Sequence, residues 1–461
     1  MIFLGTFGSL AVSHAAAQNS DQPTHQQLAR DIFKELIEIR TTAAAGNTPR
    51  AARAMADRLL AVGFPAEDVQ VVGPTNDLGC LVARLRGNGS GKRPILLMAH
   101  LDVVDALRDD WSMDPFKFLE RDGYFYGRGT TDNKAGAAML VANFVRFKQE
   151  GFVPSRDLVL ALTADEETAG STIHWLVTER RDLVDAEFAL NTDAGGGDLK
   201  EGKPSVFSVQ ASEKVYLSFQ LEVRNPGGHS SLPRKDNAIY QLVGGLARLA
   251  RFQFPLQLTQ VSRIYFERSA AMESEEMALN MKAIVADPIN EEAAEKLSES
   301  PHFNAMLHTT CVATRLAAGH ADNALPQTAR AVVNCRILPG QPPDEVEKTL
   351  KRVLNDDGIT LTRINEPTPS PPSPLGPEIL GPIERLTREI FPGALVVPTM
   401  STGATDGLYV RNAGIPTYGV SALFGDPDDV RAHGRDERVR VKSFYDSLEF
   451  WYRMLKAFTS S

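Results

Sequence analysis

Apolar residues recur at three- and four-residue intervals over 26–40 (Leu28, Ile32, Phe33, Leu36, Ile37) and again over 51–62, the spacing of two amphipathic helices. Beyond them the pattern shortens to unbroken apolar runs at 94–98, 158–162 and 188–190, each predicting a strand buried on both faces. A helical stretch over 136–149 lies between the first two runs and predicts a crossover. Strands alternating with helices predict an α/β sheet covered on both sides. Past Ser208 the rule changes. Residues 214–223 alternate polar and apolar, as a strand with one solvated face does. A helix over 238–251, strands near 310–314 and 329–337 and a helix over 344–354 follow, which is an α+β pattern. The proline-rich stretch 366–374 predicts a hinge linker, and α/β patterning resumes after it. A first domain of 18–208 and 372–461, interrupted by a smaller domain at 209–371, accounts for this order. The charged helical stretch 269–300 is an excursion to which the pattern assigns no role.

Composition narrows the classes. A chain of 461 residues has room for two or three domains and a core that needs no staples. With 49 Lys+Arg against 58 Asp+Glu, the net charge is -9, and no basic stripe is available to neutralise phosphates, which argues against a nucleic-acid partner. Three cysteines (Cys80, Cys311, Cys335) exclude a disulfide scaffold, and without a CxxC pair any metal must be held by His, Asp and Glu. The N-terminus has a short apolar run, then Ala15-Ala16-Ala17, then polar residues. This predicts a signal peptide over 1–17 and a periplasmic or secreted mature protein. No basic residue precedes the run, one feature of such a signal that is missing here. The run is too short to span a bilayer. In an oxidising compartment a Cys311–Cys335 bridge is permitted.

Acids and histidines sit just past the C-terminal ends of the apolar runs: His100 and Asp102 after the first, Asp165, Glu166 and Glu167 after the second, Asp193 after the third. Ligands of open α/β sheets bind outside those ends. One carboxylate after a strand is commonly a helix cap; three such coincidences point to one crevice. In His100-Leu101-Asp102 the i, i+2 spacing puts both side chains on one side of an extended chain, so Asp102 can take the second ring N–H of a ligating histidine. Glu166 and Glu167, as neighbours, face opposite ways, which lets one bind metal while the other serves as general base. The turn 127–136, Gly-Arg-Gly-Thr-Thr-Asp-Asn-Lys-Ala-Gly, lacks the order of a phosphate loop. Asp132 within it reads as a carboxylate bridging two cations, which repel unless they share a ligand.

Taken together, HLDVVDA (100–106), GRGTTDNKAG (127–136), TADEETAG (163–170), NTDAGG (191–196), NPGGHSS (225–231) and RAHGRDE (431–437) resemble the co-catalytic zinc carboxypeptidase/aminoacylase family, which includes glutamate carboxypeptidase, Gly-Xaa carboxypeptidase, aminoacylase and succinyl-diaminopimelate desuccinylase. The resemblance runs over essentially the whole chain after the signal. It implies a discontinuous α/β zinc-peptidase domain with a mixed sheet between helices, and an inserted α+β, ferredoxin-like lid that also dimerises. It further implies two Zn²⁺ per subunit, replaceable by Co²⁺ or Mn²⁺, with Asp132 bridging them, His100 and Asp193 on one, and Glu167 and His433 on the other. Asp102 orients His100, Glu166 is the general base, and the Asp132-Asn133 peptide is cis. His229 reaches a partner subunit's site to stabilise the oxyanion. Asn323, Arg336 and Gly403 bind substrate, Arg336 by clamping a carboxylate. Asn133 and Ala135 depart from the family pattern at the walls of the site. His174, His302, His308 and His320 match nothing in it.

The expected reaction is hydrolysis of a peptide or N-acyl amide bond beside a free carboxylate, with small peptides or N-acyl amino acids as substrates. Two rival readings are a metal-dependent hydrolase of another bond type and a non-catalytic binding or scaffold protein that kept the fold. Retention of every ligand position together with Glu166 argues against the latter.

Overall fold

The computed structural model describes residues 24–286 and 290–460. The expected signal segment 1–17 lies outside the described residues. The apolar runs form the centre of a ten-stranded mixed sheet. Ile95–His100 lies between Leu158–Thr163 and Phe188–Asn191 and is parallel to both, and Thr417–Gly419 is parallel to Phe188–Asn191 on its other side. Every residue of the strands Ile95–His100, Leu158–Thr163 and Phe188–Asn191 is buried, which is why they read as continuous apolar runs. The sheet continues through the long strand Lys203–Glu213, which pairs in parallel with Leu395–Ser401 from beyond the insert. The two halves of the first domain thus meet inside one sheet.

Helices cover it as their patterns predict. Thr24–Glu38 buries Ile32, Phe33, Leu36 and Ile37, and Lys134–Gln149 is buried almost all round. Phe33 stacks on Phe444 of the last helix, Val441–Thr459, with ring centroids 4.8 Å apart. The expected α/β class holds, with a mixed sheet between helices.

The alternating segment forms a second sheet of four strands in the order Thr310–Ala318, Thr328–Ile337, Val215–Arg224, Ile359–Arg363, every neighbour antiparallel. With the helices Ala238–Arg251 and Pro343–Leu354 it makes the β-α-β-β-α-β order of a ferredoxin-like unit. It has its own core around Leu217, Phe219, Leu242, Val333 and Leu350. Cys311 and Cys335 stand opposite each other on adjacent strands and are joined by a disulfide; Cys80 is buried and free.

The helical excursion does not belong to that small core. Its helices Gln260–Ser269, Glu275–Val285, Glu291–Ser298 and Pro301–Leu307 send Val261, Phe266, Met281, Ile284, Leu297 and Leu307 into the large one. Arg268 donates to the Val396 carbonyl at 2.9 Å and to Glu384 at 2.8 Å, fastening the segment over the strand Leu395–Ser401. Its apolar spacing was legible; the surface it covers was not, because 260–307 returns across the insert to a strand nearly a hundred residues on. Among the described residues no helix is long and apolar enough to cross a membrane.

Candidate metal centre and active site

Three parallel strands end side by side and deliver their following residues to one place. His100 is the last residue of its strand, Thr163 and Asn191 end the other two, and Asp102, Glu166, Glu167 and Asp193 follow at once. Asp132 arrives from the turn that opens the helix Lys134–Gln149, across a cis Asp132-Asn133 peptide. That helix can start here because residue 136 is glycine: a Cβ would stand 2.1 Å from the Thr192 hydroxyl. His433 comes from a loop near the C-terminus, with φ of 62°.

The five expected ligands meet. Asp132 turns one carboxylate oxygen to each histidine: Oδ1 lies 2.9 Å from His100 Nε2, and Oδ2 lies 3.1 Å from His433 Nε2. His100 Nε2 is also 3.3 Å from Asp193 Oδ1, and His433 Nε2 is 2.9 Å from Glu167 Oε2. Glu166 and Glu167 face different neighbours, but they do so from a turn whose amides at 168–170 close on the Asp165 carbonyl, not from the extended segment that was expected. Glu166 groups with His100 and Asp193, and Glu167 with His100 and Asp132, in two sets whose ligating atoms lie within 4.8 Å of one another.

Asp102 differs in detail from expectation. His100 Nδ1 lies 3.0 Å from its backbone carbonyl and 3.5 Å from its carboxylate. The carboxylate instead accepts from the Glu166 amide at 3.2 Å and the Glu167 amide at 2.9 Å. Asp102 therefore positions His100 through its main chain and the two glutamates through its side chain. A motif reads residue types, and it cannot tell which oxygen of an aspartate a neighbour will choose.

Four carboxyls crowded around two imidazoles repel one another. Burial first, and then the charge of Asp193, push the Glu166 carboxyl up to about 10. Burial and Asp132 raise Glu167 to about 7. His433 is raised to about 9, chiefly by its hydrogen bond to Asp132. His100 stays well above the usual range although burial opposes this, because Asp193 and Asp132 surround it. Asp406, absent from the expected site, is buried beside Thr163 Oγ1 at 2.6 Å, and burial lifts it to about 8. An excess of buried carboxyls with imidazoles at both ends is a donor set that cations complete, and positive charge there returns the carboxyls to their ionised range.

A cavity of about 430 Å³ opens over the cluster, lined by Asp132, Glu166, Glu167, Asp193 and His433 and walled by polar residues such as Gln210 and Thr402. His302, which matched nothing in the motifs, also lines it, from the start of Pro301–Leu307; its Nε2 lies 3.1 Å from the Tyr265 hydroxyl. A second cavity of about 330 Å³ also reaches Asp132 and Asp193, with Tyr124, Phe424 and Val430 in its wall.

The expected substrate residues are more scattered. His229 and Asn323 lie exposed at the short pairing of Gly228–His229 with Ala324–Leu325, and neither lines the two cavities. Arg336 lies over the Tyr216 ring at 4.7 Å on the small sheet. The Gly403 amide donates to Ser401 Oγ at 3.1 Å, and its neighbours Thr402 and Ala404 line the larger cavity. Asn133, one of the family departures, is buried; it accepts from Thr192 Oγ1 at 2.7 Å and donates to Asp193 at 3.4 Å.

The model of Peptidase family M20/M25/M40 matches residues 96–457, which takes in every one of these side chains. The chain belongs to that family. Among relatives of this M20 chain, the human N-fatty-acyl-amino acid synthase/hydrolase PM20D1 is 29% identical over 81% of this chain and 75% of its own. Probable carboxypeptidase S-like 2 of Dictyostelium discoideum is 28% identical over 82% and 74%. In fold, the M20 chain is similar to the M20 family metallo-carboxypeptidase Sso-CP2 of Sulfolobus solfataricus, with a TM-score of 0.70, 18% identity, and coverage of 93% of this chain and 99% of that one.

Proposed function

We propose that this M20 chain is a dinuclear zinc hydrolase that cleaves a peptide or N-acyl amide bond beside a free carboxylate. The observation that carries this reading is the two-sided Asp132: one oxygen faces His100 and the other His433, so a single carboxylate serves two cation positions. His100 and Asp193 complete one position, and Glu167 and His433 the other. The names of the relatives, an N-fatty-acyl-amino acid synthase/hydrolase and a probable carboxypeptidase, support the substrate class. When bound, the cations polarise the scissile carbonyl and make water a nucleophile at neutral pH.

The chain's own groups do the rest. Glu166 borders the cavity beside the cluster, where it takes the proton of the attacking water and returns it to the leaving nitrogen. Asp102 holds Glu166 and Glu167 by their amides, so the base and a ligand keep a fixed relation. His229 stabilises the developing oxyanion from a partner subunit, while Asn323, Arg336 and Gly403 hold the carboxylate side of the substrate. A homodimer through the small domain brings His229 there. The exposed edge strand Thr310–Ala318, with Val312 and Leu316 exposed, supports that pairing. The Cys311–Cys335 disulfide supports a periplasmic or secreted location.

The test is a panel of N-acyl amino acids, dipeptides, esters and cyclic amides offered to Zn²⁺-loaded protein, with a chelated control. Hydrolysis confined to amides with a free carboxylate, abolished by chelator and restored by Zn²⁺, is the expected result. Cleavage of esters or cyclic amides alone would favour the other hydrolase reading. Chelator-insensitive turnover, or none on any substrate, would overturn the proposal.

A further inference from the structure

The segments bearing Asp132 and His433 are joined by a residue that neither the family resemblance nor the reaction calls on. Glu437 is fully buried, and its carboxylate accepts five hydrogen bonds, all from the turn that ends in Asp132. Oε2 takes Arg128 Nη1 at 2.7 Å and the Gly129 amide at 2.9 Å. Oε1 takes the Thr131 amide and hydroxyl, both at 2.8 Å, and the Asp132 amide at 3.2 Å. Arg128 carries the connection onward. Its Nη2 donates to the Gly434 carbonyl at 2.9 Å and to that of His433 itself at 3.4 Å, and Trp111 covers its guanidinium at 5.0 Å.

We infer that Glu437, acting through Arg128, is the positioning residue that holds Asp132 and His433 at the separation the second cation position needs. The inference rests on reading those two residues as metal ligands. A loop with an exposed imidazole and a left-handed backbone at the ligand itself has little of its own to fix its place. Glu437 lies four residues along the same loop and inserts into the turn carrying the shared carboxylate, so the two ligands move as one body. The chemistry demands a carboxylate. Both oxygens face donors only, so an amide at 437 would turn its NH₂ toward either Arg128 and Gly129 or Thr131 and Asp132.

Glu437→Gln, Thr131→Val and wild type, each loaded with Zn²⁺, are dialysed against graded chelator, and bound metal is measured by elemental analysis. Wild type is expected to hold two equivalents, and Glu437→Gln to release one of them at about 10–100-fold lower chelator strength, the loss typical of groups that orient ligands. Thr131→Val removes a single hydroxyl donor and keeps the clamp; a weakening of about fivefold is expected, and it decides the matter if Glu437→Gln does not fold. The rise in Tm on adding Zn²⁺ separates positioning from plain structural support: it shrinks in the variants in the first case and is unchanged in the second. Both variants retaining two equivalents with wild-type resistance, or an unchanged Zn²⁺-induced rise, would overturn the inference. Wild type that binds no divalent metal would overturn the ligand assignment instead.

Discussion

The two cation positions proposed above share Asp132 but are built from different materials. His100 and Asp193 stand at the ends of parallel strands in the middle of the sheet, and the His100 side chain is 1% exposed. His433 sits on a loop, its side chain 56% exposed, with Glu167 as its other partner. The first position comes almost free with the fold, because strand ends are already adjacent. The second must be assembled across the whole length of the chain, and the buried Arg128–Glu437 pair stands where that assembly takes place. Rigidity on one side and access on the other suit a site that must hold its metals and still admit a substrate.

The largest expected effect falls on neither half but between them. Glu166→Gln should keep the cation held by Glu167 and His433, and, with Glu166 acting as base rather than ligand beside His100 and Asp193, the other as well, while losing about 10²–10⁴-fold in turnover. Near-normal turnover in that variant would end the assignment of the base, and loss of metal would make Glu166 a ligand.

The halves themselves are separated by truncating each histidine. His100→Ala removes a buried imidazole and leaves the half-buried Asp132 and Asp193 without their shared partner, so it should cost up to about 3 kcal/mol of folding stability as well as metal. His433→Ala, at an imidazole whose side chain is 56% exposed although Glu167 beside it is not, should cost less stability than His100→Ala while still lowering metal content. Denaturant titration of the metal-free proteins, with elemental analysis of the loaded ones, measures both. Equal stability losses would mean that the loop half is as much a part of the fold as the strand half, and the contrast drawn above would fall.

That same contrast explains what the sequence showed and what it hid. His100, Asp102, Glu166, Glu167 and Asp193 were legible because unbroken apolar runs mark buried parallel strands, and chemistry in such sheets gathers at their ends. Asp132 was legible from its glycine-rich turn, but its pairing with His433 needed the ordered motifs, since no periodicity links a turn near residue 130 to a loop near 433. Glu437 was in view within RAHGRDE, yet nothing local distinguishes a buried acceptor of five donors from a solvated glutamate. His302 matches none of the ordered motifs; only the packing of 260–307 against the strand Leu395–Ser401 brings it to the cavity wall. Asp406 was hidden in the same way. Its carboxylate accepts from Thr163, more than two hundred residues earlier in the chain.

The last prediction serves as a control for the whole comparison, because it removes a buried ammonium where no metal ligand is touched. Lys214 lies 1% exposed at the passage from the large sheet into the small one, donating to the carbonyls of His308 at 2.8 Å and Ala305 at 3.0 Å. Burial, with Arg336 adding repulsion, lowers its ammonium to about 7. In the unfolded chain the same group holds its proton to about 10.4. Between those values the unfolded state binds more protons than the folded one, so this lysine makes stability rise with pH, by at most about 1.4 kcal/mol per unit. Lys214→Met should remove that contribution. Denaturant midpoints measured from pH 7 to 10 should climb less steeply in the variant than in wild type, while both bind metal equally. Metal lost from Lys214→Met would show that loosening anywhere in the fold empties the site, and the losses at His433 and Glu437 could then no longer be credited to the loop half alone.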